Sequence, residues 1–177
     1  MQIRRLTWMG LLVALSIVLT RLFSFTIPIG GTTALRLGFG PIPIVIAGLL
    51  MGPVAGIIVG AVADLLGFLL NPMGGLYLPD FTLISMVTGL IPALVYRAMG
   101  KGLHPRWKVT ISVIINQVIT TLILTPLVLQ YRFKMPLAVT LPMRLAAQAI
   151  LIPAYSLIIW IVCSRVASAF PQFRDRH

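Results

Sequence analysis

The sequence predicts an all-α, polytopic membrane protein with six transmembrane helices and both termini in the cytoplasm. Of its 177 residues, 59% are hydrophobic and 10% are charged, and the mean hydropathy is +1.04. Soluble domains are about one quarter charged, and a helical span takes about 20 mainly apolar residues. The chain therefore has room for five or six spans in one membrane domain, residues 1–177, and none for a separate soluble domain.

The helices are predicted from apolar segments that are separated by short turns or by loops rich in Gly and Pro. The first segment is interpreted as a retained helix, because no small-x-small cleavage site follows its apolar run. The second is short and has Pro41 and Pro43 in its first turns, and Pro92 is expected to kink the fourth. The predicted helices cover residues 7–26, 38–51, 54–70, 81–99, 107–129 and 137–168.

Basic residues set the predicted orientation. Nine of the 14 Lys and Arg residues lie on the same side of the membrane as the N-terminus in a six-span arrangement. The other five lie toward the opposite side. The positive-inside rule then places both termini in the cytoplasm, and the net charge of +11 is interpreted as topology rather than nucleic-acid binding. The three longer loops, residues 27–36, 71–80 and 131–136, face outward. They are typical of a lid over an externally open cavity, although ordinary solvated loops remain an alternative.

A stripe of small residues marks the third helix, in the sequence GPVAGIIVGAVADLLG. Gly52, Gly56 and Gly60 are four residues apart and form a groove that suits a closely packed neighbouring helix. Asp64 continues the stripe toward the outer half of the span. A carboxylate in a span costs free energy unless it is paired or faces a polar cavity. Asp64 is therefore a candidate binding residue, and an interhelical ion pair with Arg144 or Arg21 is the alternative.

Several cations in the outer half outnumber this one acid. Arg144 and Gln148 lie one turn apart on the sixth helix, Arg36 ends the first outer loop, and Arg21 lies near the outer end of the first helix. Such an excess suits an anionic ligand held by charge-assisted hydrogen bonds. Asn116 adds a polar group near mid-membrane on the fifth helix.

Three aromatic residues lie near the same mouth: Phe39, Phe68 and Tyr77. They can stack on a flat ring, but packing in an apolar core explains the two phenylalanines equally well.

Other chemistry is not favoured by the composition. There is no GxxxxGK[ST] motif, so we expect no ATP hydrolysis by this chain itself. With no glutamate, one cysteine and two histidines outside the predicted spans, we expect no enzyme activity, no metal and no cofactor.

The segment LRLGFGPIPIVIAGLLMGPVAGIIVGAVADLLGFLL, residues 35–70, resembles the folate-specific substrate-binding (S) components of energy-coupling factor (ECF) vitamin transporters. The likeness extends to the size, the six spans, the three outer loops and a small-xxx-small pair on the first helix, Gly10 and Ala14. It implies a high-affinity vitamin site at the outer face of a cell-membrane protein. It also implies a transmembrane coupling protein, on which Gly10 and Ala14 pack, and two cytoplasmic ATPases. The family motif usually has alanine at both positions, so Gly10 departs from the motif but keeps a small residue there.

Given this resemblance, Asp64 is expected to accept the exocyclic amine and ring N–H of a pterin. Arg36 and Arg144, with Arg21, are expected to bind the glutamyl carboxylates of folate. The alternatives are an S component for another vitamin such as riboflavin, thiamine or pantothenate, a self-sufficient homo-oligomeric transporter, and a structural membrane subunit.

Overall fold

The computed structural model describes residues 2–22, 24–29, 32–70, 77–100, 102–134 and 137–169. Most of these residues are helical, which confirms the prediction of a helical, polytopic membrane protein. The helices are α1 (Gln2–Leu22), α2 (Pro41–Met51), α3 (Pro53–Leu70), α4 (Pro79–Ala98), α5 (Pro105–Gln117), α6 (Thr125–Phe133) and α7 (Leu137–Ala169). A π-helical segment, Val118–Leu124, joins α5 and α6 into one continuous helix.

The count of six full-length spans is not confirmed. Within the described ranges, five helical segments are long and apolar enough to cross a membrane, and α2 is a shorter apolar helix of 11 residues. At a rise of about 1.5 Å per residue, α2 is about 16 Å long, against about 30 Å for the hydrocarbon core of a bilayer. All of its residues from Ile42 to Met51 are buried, and it packs against α1, α3, α4 and α7. The short helix is therefore the centre of the bundle.

The first connection is a β-hairpin, where the sequence predicted an extension of the first helix followed by an irregular loop. Strands β1 (Ser24–Ile29) and β2 (Thr32–Gly38) pair antiparallel, with Thr26 opposite Arg36. Residues 7–26 were therefore the wrong bounds for the first helix, which begins at residue 2 and ends at Leu22. The physical reason is the run SFTIPI, whose β-branched residues favour a strand and whose proline breaks a helix.

Prolines explain most of the remaining differences in helix bounds. Helices α2, α3, α4 and α5 begin at Pro41, Pro53, Pro79 and Pro105, rather than at the predicted residues 38, 54, 81 and 107. The first helical position suits proline because its missing N–H needs no partner there and its φ is already helical.

The fifth predicted helix, residues 107–129, extends to Phe133 and contains the unpredicted π-helical segment. Pro126 lies just after this segment. Because it cannot donate a backbone hydrogen bond and its ring collides with the preceding turn of an α-helix, a wider turn accommodates it. The hydroxyl of Thr125 donates to the Thr120 carbonyl five residues back, at 2.6 Å.

The glycine stripe brings α3 against α4. A Cβ at Gly56 would overlap with the carbonyl of Gly89, and a Cβ at Gly60 would overlap with the carbonyl of Ser85. These two glycines therefore allow backbone-to-backbone packing, as the spacing predicted. Gly52 instead forms the turn between α2 and α3, where its φ of 97° favours glycine.

Candidate functional site

Asp64 lies one turn beyond Gly60 on α3, where the α3–α4 interface becomes polar. The Oγ1 atom of Thr82 on α4 donates a hydrogen bond to Asp64 Oδ2 at 2.6 Å. The hydroxyl of Tyr77 lies 2.6 Å from the same Thr82 oxygen. The two helices run antiparallel, so the pairs Gly56–Gly89, Gly60–Ser85 and Asp64–Thr82 follow one another toward the same end of the bundle.

Asp64 forms no ion pair with a cation in the part of the chain that the structure describes. The salt bridge in the described part of the chain joins Arg132 Nε to Asp80 Oδ2, at 2.7 Å. Asp64 forms none there, so the alternative interpretation, an ion pair with Arg144 or Arg21, is not realised. An ionised carboxylate has about four acceptor positions, and Thr82 occupies one. Asp64 therefore has acceptor capacity left for a ligand.

Two of the predicted aromatic residues lie beside Asp64. Phe68 is one turn further along α3, and its ring centroid is 5.2 Å from that of Tyr77 at an interplanar angle of 57°. Phe39 belongs to a different contact, edge-on to Tyr155 with centroids 6.0 Å apart. The Tyr155 hydroxyl in turn donates to the Gly38 carbonyl, which attaches the end of β2 to α7.

Arg21 joins the last turn of α1 to the same region of α3. Its guanidinium donates to the carbonyl of Gly67, which is three residues after Asp64. Its Nε atom is buried and has no hydrogen-bond partner among the described residues. Part of the Arg21 hydrogen-bonding capacity is therefore still available near the acid.

A second polar group lies between α5 and α7. Arg144 and Gln148 are buried on one face of α7, and Gln117 Nε2 donates to Gln148 Oε1 at 3.1 Å. Asn116 is 1% exposed, and its Oδ1 atom accepts no hydrogen bond within the described ranges. A buried acceptor left unsatisfied costs about 1–3 kcal/mol, so this amide oxygen is suited to a donor supplied by a ligand.

Six of the nine predicted substrate-binding residues thus fall into two groups. Asp64, Phe68, Tyr77 and Arg21 lie together, whereas Arg144 and Gln148 lie on one face of α7. Within the described part of the chain, Asp64 forms no hydrogen bond or ion pair with Arg144, Gln148 or Asn116. Arg36 is placed by its backbone in β2. The predicted outer lid includes residues 71–76 and 135–136, which lie outside the described residues, as do the side chains of the hairpin.

Thr82 and Gln117 were not among the predicted site residues, although each bonds directly to one of them. Each faces its partner across a helix interface, at a register that spacing along one helix does not reveal. The usable signal was the glycine stripe, since it indicates which face of α3 meets its neighbour.

The polar groups of the site are able to form hydrogen bonds with a ligand. No group of three or more His, Cys, Asp or Glu side chains that could hold a metal occurs among the described residues. The polar groups around Asp64 are two hydroxyls and a guanidinium. Groups of these types can donate hydrogen bonds to an anion.

A separate apolar groove runs along the outside of α1 and α3. It has a volume of about 360 Å³, and Gly10 and Ala14 form part of its floor. Both residues are exposed, and a Cβ at Gly10 would meet no atom within 4 Å. The flanking side chains include Leu6, Met9, Val13, Ile17, Ile58 and Leu66.

Comparison with known proteins identifies the kind of protein that carries these features. A sequence profile described as "ECF-type riboflavin transporter, S component" matches residues 1–163. The chain belongs to this family of S components. The predicted resemblance to ECF S components is therefore confirmed, and so is the expectation of a transport protein rather than an enzyme.

Individual relatives of the S component are also similar. The folate transporter FolT of Clostridium novyi (strain NT) is 32% identical over 153 residues, which are 86% of this chain and 84% of FolT. A crystal structure of FolT bound with folic acid has a TM-score of 0.76 and 30% identity, covering 90% of this chain and 92% of FolT. A structure of the S component of a bacterial ECF transporter has a TM-score of 0.61 and 27% identity, covering 99% and 100% of the two chains.

Proposed function

We propose that this S component binds folate near the outer end of its helical bundle and delivers it to an ECF-type, ATP-driven uptake complex in the cell membrane. The observation that carries the proposal is Asp64, an acid within a span whose described partner is a hydroxyl rather than a cation. The likeness to FolT, over most of both chains, supports the choice of vitamin.

The chemistry of a pterin suits Asp64. A pterin presents an exocyclic amine beside a ring N–H, and a carboxylate accepts such a donor pair in a bidentate manner. The hydrogen bond from Thr82 holds one carboxylate oxygen in place, and Phe68 and Tyr77 supply aromatic surface for a flat ring. Asp64 is the proposed acceptor of the pterin.

The remaining proposed ligand residues suit the rest of the molecule. Folate is extended, so the two polar groups in the bundle can contact different parts of it. Arg36 and Arg144 would bind the glutamyl carboxylates, to which a guanidinium donates in bidentate fashion. Arg21 lies in the Asp64 group and would contact the part of the ligand that is bound there. Gln148, Asn116 and Phe39 complete the proposed set of substrate-binding residues.

The groove at Gly10 and Ala14 is the proposed docking surface for the transmembrane coupling protein. Small residues let helix backbones approach closely within a membrane, and the described groove is apolar and open along α1. Two cytoplasmic ATPase subunits would supply the energy through that partner. The proposed arrangement is a single membrane domain, residues 1–177, with both termini on the cytoplasmic side.

Riboflavin is the second candidate, because the matching family description names it. Its ring system is also flat and carries a ring N–H, but it has no carboxylate. The arginines would then have no anionic partner in the ligand, which favours folate.

A competition titration separates the two candidates. The full-length protein is purified in detergent, and tryptophan fluorescence is measured as folate or riboflavin is added. Folate is expected to bind and to be displaced only weakly by riboflavin. Saturable binding of riboflavin together with no response to folate would overturn the assignment.

A further inference from the structure

A second apolar crevice lies at the opposite end of the bundle from Asp64. It is enclosed by α2, α4, α5 and α7 and has a volume of about 110 Å³. Its position is fixed by the start of α5, at Pro105, and by the last turns of α2 and α4. The residues that form its walls include Leu49, Leu50, Tyr96, Val109, Trp160 and Cys163.

Two cations cover aromatic walls of this crevice. The guanidinium carbon of Arg106 lies 5.3 Å from the ring centroid of Trp160, and Lys108 Nζ lies 5.4 Å from that of Tyr96. Cation–π contacts of this length hold both side chains beside the aromatic residues that form the crevice walls. Lys108 also donates to the Gly100 carbonyl. The guanidinium of Arg106 donates to no protein acceptor in the described part of the chain, so its N–H groups are available.

Among the described residues, no acidic side chain lies at the crevice. The chain has three acidic residues. Asp64 and Asp80 lie in the outer half of the bundle, where Asp80 pairs with Arg132. Asp175 lies outside the described residues. Arg97 is also exposed at the same end as Arg106. A ligand that complements this surface has a negative head and an apolar body.

We propose that this crevice binds an anionic phospholipid, with the phosphate on Arg106 and the first methylene groups of one acyl chain between Trp160 and Leu50. Basic side chains beside a bilayer attract anionic lipid headgroups, and Trp107, which is 59% exposed, is adjacent to Arg106 as an interfacial anchor. An acidic protein segment would satisfy the charge but would leave the apolar crevice unfilled.

Native mass spectrometry of the detergent-solubilised full-length chain tests the site. Retention of dioleoylphosphatidylglycerol is compared with that of dioleoylphosphatidylcholine, which has the same acyl chains and no net charge. The protein is expected to retain the anionic lipid about fivefold better for each basic side chain that contacts its phosphate. Arg106→Gln is expected to lower this preference by about fivefold. Lys134→Gln is the matched control, because it removes one exposed charge at the other end.

Ser164→Phe tests the apolar part separately, since Ser164 lines the crevice and the change fills it without altering charge. It is expected to lower retention of both lipids. Equal losses from Arg106→Gln and Lys134→Gln would overturn the proposal in favour of bulk charge. Unchanged lipid retention in Ser164→Phe would overturn it too, as would displacement of phosphatidylglycerol by an acidic peptide of equal charge.

Discussion

Thr82 on α4 donates a hydrogen bond of 2.6 Å to Asp64 on α3. The contact exists because Gly56 and Gly60 let the two backbones pack without intervening side chains, which brings a short hydroxyl within reach of a short acid. The same packing leaves the other carboxylate positions of Asp64 for a ligand. In the proposed site, helix packing and ligand recognition would therefore depend on the same residue.

Replacement of Thr82 by valine is expected to weaken folate binding. The change keeps the shape of the side chain but removes the donor that orients Asp64. Loss of one hydrogen bond to a charged group corresponds to about tenfold in affinity, measured by tryptophan fluorescence titration. Thr88→Val is the matched control, because the Thr88 hydroxyl bonds only the Ile84 carbonyl of its own helix. Equal effects of the two variants would contradict an orienting role for Thr82.

Gly60→Ala is expected to lower thermal stability. The added methyl group would overlap with the Ser85 carbonyl, and overpacking of this kind costs about 1–3 kcal/mol. The apparent melting temperature in detergent should fall by several degrees, at about 2–4 °C per kcal/mol. Gly10→Ala provides the comparison, since a Cβ there meets open space. A melting temperature that is unchanged in Gly60→Ala would show that α3 and α4 are not packed as described.

Asn116 and Gln117 are expected to respond in opposite directions when they are changed to leucine. Asn116→Leu removes a buried acceptor that has no partner among the described residues, so the ligand-free protein should become more stable, by about 1–3 kcal/mol. Gln117→Leu breaks the bond to Gln148 and should destabilise it. Thermal unfolding without ligand measures both. If Asn116 also contacts folate, its stabilised variant will bind folate less tightly, and undiminished affinity would remove it from the site.

If the coupling protein docks in the α1–α3 groove, a change in the groove should abolish folate uptake without affecting folate binding. Ala14→Trp would fill the groove and is expected to abolish folate uptake and co-purification with the coupling protein, while folate binding by the isolated chain is retained. Leu15→Trp is the control, because Leu15 is exposed on α1 but does not line the groove. Uptake at the parental level in Ala14→Trp would place the partner elsewhere.

Periodicity within a helix predicted the features that depend on one helix alone. The spacing of Gly56, Gly60 and Asp64 was sufficient to place all three on one face of α3. It was not sufficient to identify Thr82, because that contact depends on the register between two helices.

Two features that the helix prediction missed have local signals in the sequence. The β-branched run at residues 24–29 favours the strand that replaced the end of the first helix, and Pro126 favours a disturbed turn where the π-helical segment lies. The shortness of α2 was visible in the sequence, but its burial at the centre of the bundle depends on the packing of four other helices.

The most direct measurement is the folate affinity of Asp64→Asn beside that of Asp80→Asn. Both changes remove one carboxylate, but Asp80 forms an exposed ion pair with Arg132, a type of contact that contributes about 0–1 kcal/mol. Isothermal titration of the purified protein should show Asp64→Asn binding folate at least about tenfold more weakly, with Asp80→Asn unchanged. Parental affinity in Asp64→Asn would contradict the assignment of this acid to the pterin.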